Sequence, residues 1–256
     1  LLHRKGIKWF KKILLDKYFK KEIKPLRKEP KNKLIDYLGW HKQNEDYYFV
    51  GLPLLSGRLY GEKKSLIRDI VKKYNLDLRL TPNQDILLCN ISNKHKLNIK
   101  KALSKIGYEN LNEINAIQRH ALACPALPLC GLAMTEAERI LPSVISRIDH
   151  LLKSLNIKKS ILLRMTGCPN GCTRPYMAEL ALVGSGQNKY QLWLGGSKNL
   201  QRLAKPYLQR MELDDLEKTL KPLLINWKEF DSESDFGDFI KDQDESYILN
   251  LLNDIQ

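Results

Sequence analysis

Four cysteines in two close pairs constrain this chain more than any other feature. Cys124 and Cys130 bracket a C-x5-C loop, and Cys168 and Cys172 a C-x3-C loop, with a helix-sized stretch between them. If the pairs share a ligand, the fold must bring residues 124–130 and 168–172 together. Proline follows the first cysteine of each pair and stiffens the loop. Gly167 and Gly171 let backbone approach without a Cβ in the way. Asn170 tolerates left-handed geometry and offers a side-chain amide. Thiolates in loops that expose backbone N–H groups can hold an iron–sulfur cluster, and electron transfer is then the leading function. Zinc is the main alternative, and four buried structural thiols the third. Structural zinc knuckles usually read C-x2-C, which neither pair does. The x5 loop is also apolar throughout, as a dry cluster pocket would be. Cys89 stands alone in a strand-like run and reads as a small core residue.

Five cysteines, an odd number, argue against a disulfide scaffold and for a reducing compartment. A chain of 256 residues that is 43% hydrophobic suits one large core or two modest ones. No apolar run approaches a membrane span. Residues 1–15 are cut by His3, Arg4, Lys5, Lys8, Lys11 and Lys12, so they form neither a signal core nor a spanning helix. The first residue is not methionine, and the expectation is a removed leader or the C-terminal piece of something longer. The net charge of +14 is unevenly spread: +10 over residues 1–35, +11 over 36–230 and −7 over 231–256. A basic middle region suits an acidic protein partner, a polyanionic cofactor or nucleic acid.

Apolar spacing predicts a basic helix over residues 8–27, a strand at 47–51, a helix at 65–74, strands at 76–80 and 85–89, and a helix at 94–106 closed by Gly107. Strand, helix, hairpin, helix is the order of an α+β layer with helices on one face of a sheet. A second unit starts near residue 113. It is expected to hold a short helix at 118–123 and a long helix from a Thr135 cap to about 155. A strand at 160–165, a hairpin of 179–184 with 190–194, a helix at 213–227 and a short helix at 247–252 follow.

The motifs resemble those of ferredoxin-dependent sulfite reductases of the nitrite/sulfite reductase family, in their C-terminal half. Leu38-Gly39-Trp40-His41, Gly51-Leu52-Pro53, Gly57-Arg58-Leu59 and Arg79-Leu80-Thr81-Pro82-Asn83-Gln84 resemble the opening of that half. Ala123 to Cys130 with Met134 to Arg139 is similar to the first cluster loop and its helix. Thr166 to Cys172, Arg174 to Leu180 and Leu192 to Gly196 are similar to the second. The resemblance runs from about residue 35 to 227.

Residues 1–35 read as a basic helical lead segment outside the resemblance, which implies a ferredoxin-like half domain (36–112) and an α/β domain for siroheme and a 4Fe–4S cluster (113–256). The resemblance implies that Cys124, Cys130, Cys168 and Cys172 hold the cluster and that Cys172 also bridges to siroheme iron. Asn170, Arg164 and Arg174 are expected at the cofactor, with Arg58 and Arg79 as further partners for siroheme carboxylates. The implied activity is the six-electron assimilatory reduction of sulfite to sulfide with reduced ferredoxin, in cytoplasm or plastid stroma. The residues that grip sulfite are expected in an N-terminal half absent here, so catalytic residues are not assigned and the isolated chain is not expected to be competent. Ferredoxin–nitrite reductase of the same family is the near alternative. A zinc-stabilised basic nucleic-acid-binding module is the alternative of another class, although the Tyr47–Phe49 aromatics alternate like a core strand.

Overall fold

A computed structural model describes residues 2–19, 34–230 and 233–253. The chain divides into two compact units, Leu1–Lys33 and Leu34–Gln256. In the first unit, helix α1 spans Leu2–Lys17, interrupted at Gly6 with φ 77°. It starts earlier than the basic periodicity predicts, and residues 20–27 of the expected helix lie outside the described residues.

In the second unit, β-branched and aromatic runs form the first sheet: β1 (Gly39–Lys42), β2 (Tyr47–Leu52), β3 (Asp77–Leu80) and β4 (Ile86–Ser92), in antiparallel order β1-β2-β4-β3. Helices α2 (Gly61–Tyr74) and α3 (Asn93–Ser104) cover it. Strand residues Val50, Leu52, Leu88 and Ile91 pack with Ile67, Ile70, Ile99 and Leu103 in one core. A Cβ on Gly51 would lie 1.9 Å from the Tyr37 carbonyl oxygen, so residues 37–38 lie tight against the sheet there.

The second sheet runs β5 (Leu122–Ala123), β6 (Leu163–Thr166), β7 (Leu180–Gly186), β8 (Lys189–Leu194) and β9 (Lys205–Glu212) in that order. Strands β5, β6 and β7 are parallel, and β8 and β9 antiparallel. Helices α4 (Leu141–Ser154), α5 (Leu216–Phe230), α6 (Phe236–Asp242) and α7 (Glu245–Asn253) contribute to its core. On α4, Leu141, Val144, Ile145, Ile148, Leu151 and Leu152 recur at helical spacing and are buried.

Two expectations are corrected. The helix at 118–123 is a turn ending in β5, because Leu122 and Ala123 pair in parallel with Arg164 and Met165. The long helix starts at Leu141, not at Thr135. Thr135 is buried in a loop instead; its Oγ1 accepts the Asn188 N–H at 3.1 Å and lies 3.1 Å from the Tyr190 hydroxyl. Strands β1 and β9 and helix α6 add to the elements that the sequence pattern predicts.

Helix α6 is held at its start by a buried carboxylate. Glu179 accepts the N–H of Leu162 at 2.8 Å and of Gly237 at 2.9 Å. Burial pushes its carboxyl from the ordinary 4.5 up to about 7, against the pull of those two donors. The folded chain thus binds this proton more tightly than the unfolded chain. The resulting stability is fully present below about pH 4.5 and is lost as pH rises through about 7, a span worth about 3 kcal/mol. Asp85, also raised to about 7 by burial, acts with the same sign, so the difference between two proteins isolates Glu179. Denaturant unfolding of Glu179→Gln is expected to show a flatter decline from pH 5 to 7.5 than the parent. Parallel curves would assign the slope elsewhere.

Candidate metal centre

Strands β5 and β6 are neighbours, and each runs directly into a cysteine loop: Ala123 into Cys124, and Thr166 through Gly167 into Cys168. Both loops therefore leave the carboxyl edge of a parallel pair, where open α/β sheets receive ligands. The loops interlock. The Cys124 N–H donates to the Met165 carbonyl at 3.3 Å, and the Gly167 N–H donates to Cys124 Sγ at 3.2 Å. The Gly167 carbonyl accepts from Met134 at 2.8 Å and Thr135 at 3.3 Å. A side chain at 167 would meet Ala126 Cβ and the Thr135 carbonyl at 2.7 Å.

Within the second loop, Thr166 Oγ1 donates to the Cys168 carbonyl at 3.0 Å, and Thr173 Oγ1 to the Met165 carbonyl at 3.1 Å. Tyr176 donates to the Pro169 carbonyl at 2.5 Å and packs its ring 4.5 Å from that of Trp193. Gly171 takes φ +70° beneath the Tyr176 ring, a conformation that disfavours other residues. In the first loop, the Cys130 N–H donates to the Ala126 carbonyl at 2.8 Å.

The thiols grade in burial: Cys124 and Cys168 are buried, Cys130 half-buried and Cys172 exposed. Burial pushes the Cys124 thiol up, opposed by the Gly167 and Ala126 N–H groups and reinforced by Cys172 and Cys168. A tetrahedral zinc needs its thiolates about 2.3 Å from one point. Among the described residues no group of three or more His, Cys, Asp or Glu side chains converges to hold a single metal ion. A cubane cluster takes its four thiolates at separate irons, and two interlocked loops with the Gly167 N–H donated to Cys124 Sγ suit such a donor set. Cys89 is buried on β4 opposite Asp77, in the other sheet.

Of the arginines, Arg164 carries the clearest signal. It is 1% exposed, its Nη1 donates to the Arg174 carbonyl at 3.1 Å, and its Nε has no hydrogen-bond partner. Burial and the Arg174 guanidinium push it down to about 10. Among the described residues no carboxylate lies within ion-pair distance of it. A buried cation with an unused donor fits a carboxylate-bearing cofactor. Arg174 is exposed, takes φ 56° and donates from Nη2 to the Pro82 carbonyl at 3.1 Å. Asn170 is exposed within the C-x3-C loop. Arg79 is exposed on β3, in the other sheet. Arg58 is already engaged, because both its Nε and Nη2 donate to the Glu138 carboxylate.

Sequence reasoning placed Gln84, Thr135, Glu138 and Tyr176 within the resembling motifs but gave none of them a role of its own. Gln84 and Glu138 lie in stretches whose local pattern signals only a turn and a helix start. The Nδ1 of His120, just before β5, is buried without a hydrogen-bond partner, and burial lowers its pKa.

Residues 41–106 match the model of the nitrite/sulfite reductase ferredoxin-like half domain. The chain carries that half domain. It is 44% identical over 245 residues to the ferredoxin sulfite reductase of Synechococcus elongatus, a match covering 93% of this chain and 39% of that protein. It is 35% identical to the NADPH sulfite reductase hemoprotein beta-component of Staphylococcus carnosus, covering 93% of this chain and 42% of that protein. The chain is thus a relative of the sulfite reductases and spans about two fifths of their length. The Mycobacterium tuberculosis NirA protein shares its fold, with a TM-score of 0.75 at 21% identity, covering 97% of this chain and 48% of that one. The half domain contains β2, β3, β4, α2 and α3, and its mixed helix-and-sheet layer is the one expected.

Proposed function

We propose that this chain is the cofactor-holding part of an assimilatory sulfite reductase, taking sulfite to sulfide with electrons from reduced ferredoxin. The observation that carries the reading is the pair of interlocked cysteine loops at the ends of β5 and β6, in a chain 44% identical to a ferredoxin sulfite reductase. Cys124, Cys130, Cys168 and Cys172 would hold a 4Fe–4S cluster. Cys172, the exposed thiol, would also ligate siroheme iron, with Arg164, Arg174 and Asn170 beside the macrocycle. When bound, cluster and siroheme supply a path for single electrons to sulfite. Arg164 holds a permanent positive charge in a buried place, which favours a cofactor carboxylate over water. The Gly167 N–H lends partial positive charge to Cys124 Sγ and so favours the thiolate that a metal requires. Burial favours the protonated thiol, so holding a cluster would require Cys124 to give up that proton.

The basic charge over residues 36–230 suits docking of an acidic ferredoxin. Residues 36–112 and 113–256 would act as the half domain and the cofactor domain, in cytoplasm or plastid stroma. The remaining length of the relatives would supply the cations around sulfite, so this chain alone is expected to release no sulfide. The test is purification without oxygen, with siroheme synthesis intact, followed by visible spectroscopy and iron and sulfide analysis. Strong visible absorption with labile sulfide is expected. A colourless protein with stoichiometric zinc would overturn the reading.

A further inference from the structure

We propose that Arg58, Glu138 and Gln84 form a clamp by which the half domain sets the position of Cys124. Two peptide units meet at this cysteine, and the half domain reaches both. On one side, Gln84 Nε2 donates to the Ala123 carbonyl at 2.9 Å. On the other, the Cys124 carbonyl accepts the Glu138 N–H at 3.1 Å. Glu138 is in turn fixed from the half domain. Arg58 grips its carboxylate with two donors, Nη2 at 2.7 Å, and Ser56 Oγ donates to its carbonyl at 3.3 Å.

The two arms brace each other. Gln84 sits at φ +67°, and a Cβ on Gly57, next to Arg58, would touch Gln84 Cβ at 3.1 Å. An exposed ion pair ordinarily contributes little. This one is bidentate, and its acid is only 13% exposed, so its geometry is constrained where most surface pairs are not. The Gly167 N–H to Cys124 Sγ bond depends on where these contacts hold the Cys124 backbone, and hydrogen bonds to ligand sulfur tune a cluster. Arg58, Glu138 and Gln84 are thus positioning residues, acting through the loop.

The significance of the clamp rests on Cys124 being a cluster ligand, but its existence is a property of the loop and is tested on the chain without metal. The experiment is amide hydrogen exchange of the reduced apo chain, with alkylation of Cys124 and Cys89 in the same molecules. In Arg58→Ala and Gln84→Ala, exchange at the Glu138 and Gly167 amides is expected to accelerate at least about tenfold, as a local opening. Cys124 alkylation should rise relative to Cys89, with amides inside α4 unchanged. Arg58→Lys, which keeps the charge but not the two-donor geometry, should give an intermediate effect and serves if the alanine variants fail to fold. In the cluster-loaded chain the same lysine variant should shift the reduction potential with iron content retained. Unchanged exchange at Glu138 and Gly167, or acceleration spread evenly over the chain, overturns the clamp. If the parent chain takes up no cluster, the cofactor reading fails while the exchange result still decides the clamp.

Discussion

Gly184→Ala is expected to cost about 3 kcal/mol or more of stability and to disrupt the cysteine site with it. The added Cβ would stand 2.3 Å from the Gly167 carbonyl oxygen, 2.5 Å from its carbon and 2.8 Å from Thr135 Cγ2. Two of these atoms are backbone, so no rotamer change relieves the overlap. The Gly167 carbonyl is also the acceptor that ties residues 134 and 135 to the second loop. Either β7 moves away from β6 or both cysteine loops shift. Gly186→Ala, two residues along the same strand, is the control. Its Cβ would meet only the Lys189 side chain, at 3.8 Å, and should be tolerated. Denaturant midpoints and iron uptake of the two variants test the expectation. Equal stability and equal loading would show that the close approach at Gly184 is unimportant.

The second large effect concerns the thiolates. Serine at 124, 130 or 168 is expected to abolish the cluster, because a hydroxyl is a poor substitute for a soft thiolate on iron. Labile sulfide should fall from about four per chain towards zero, and cluster iron with it. On the proposed reading, serine at 172 should in addition weaken siroheme retention. Cys89→Ser should leave iron and sulfide unchanged, because Cys89 is buried in the other sheet. A chain emptied by Cys89→Ser yet loaded with Cys168→Ser would reverse the assignment.

Strands β2, β3 and β4 of the first sheet and its helices were readable because these elements are local. Val50, Leu88 and their neighbours alternate at strand spacing, and Ile67 with Ile70 and Ile99 with Leu103 repeat at helical spacing. The errors cluster where pairing is long-range. Leu122 and Ala123 form a strand only because Arg164 and Met165 lie alongside, about forty residues later; a two-residue strand has no period of its own. Strand β9 carries Pro206 and a mostly exposed, charged run, which hides it among loops. Thr135 followed by acidic residues is a sound cap signal, but its hydroxyl is used by Asn188 and Tyr190 instead. The cysteines themselves were legible from spacing. Their supports were not: Gln84, Glu138 and Arg58 act across the boundary between the two sheets, and no local pattern announces that.

The gradient of burial across the four thiols has a practical consequence in time. Cys172 is the corner that any reagent in solvent meets first, while Cys124 is shielded and kept protonated by its surroundings. Oxidation and alkylation follow thiolate character and access. An empty chain left in air is therefore damaged from its outermost corner inward. A preparation that has lost only Cys172 to oxidation would still fold, would still present three intact thiols, and would refuse its cargo.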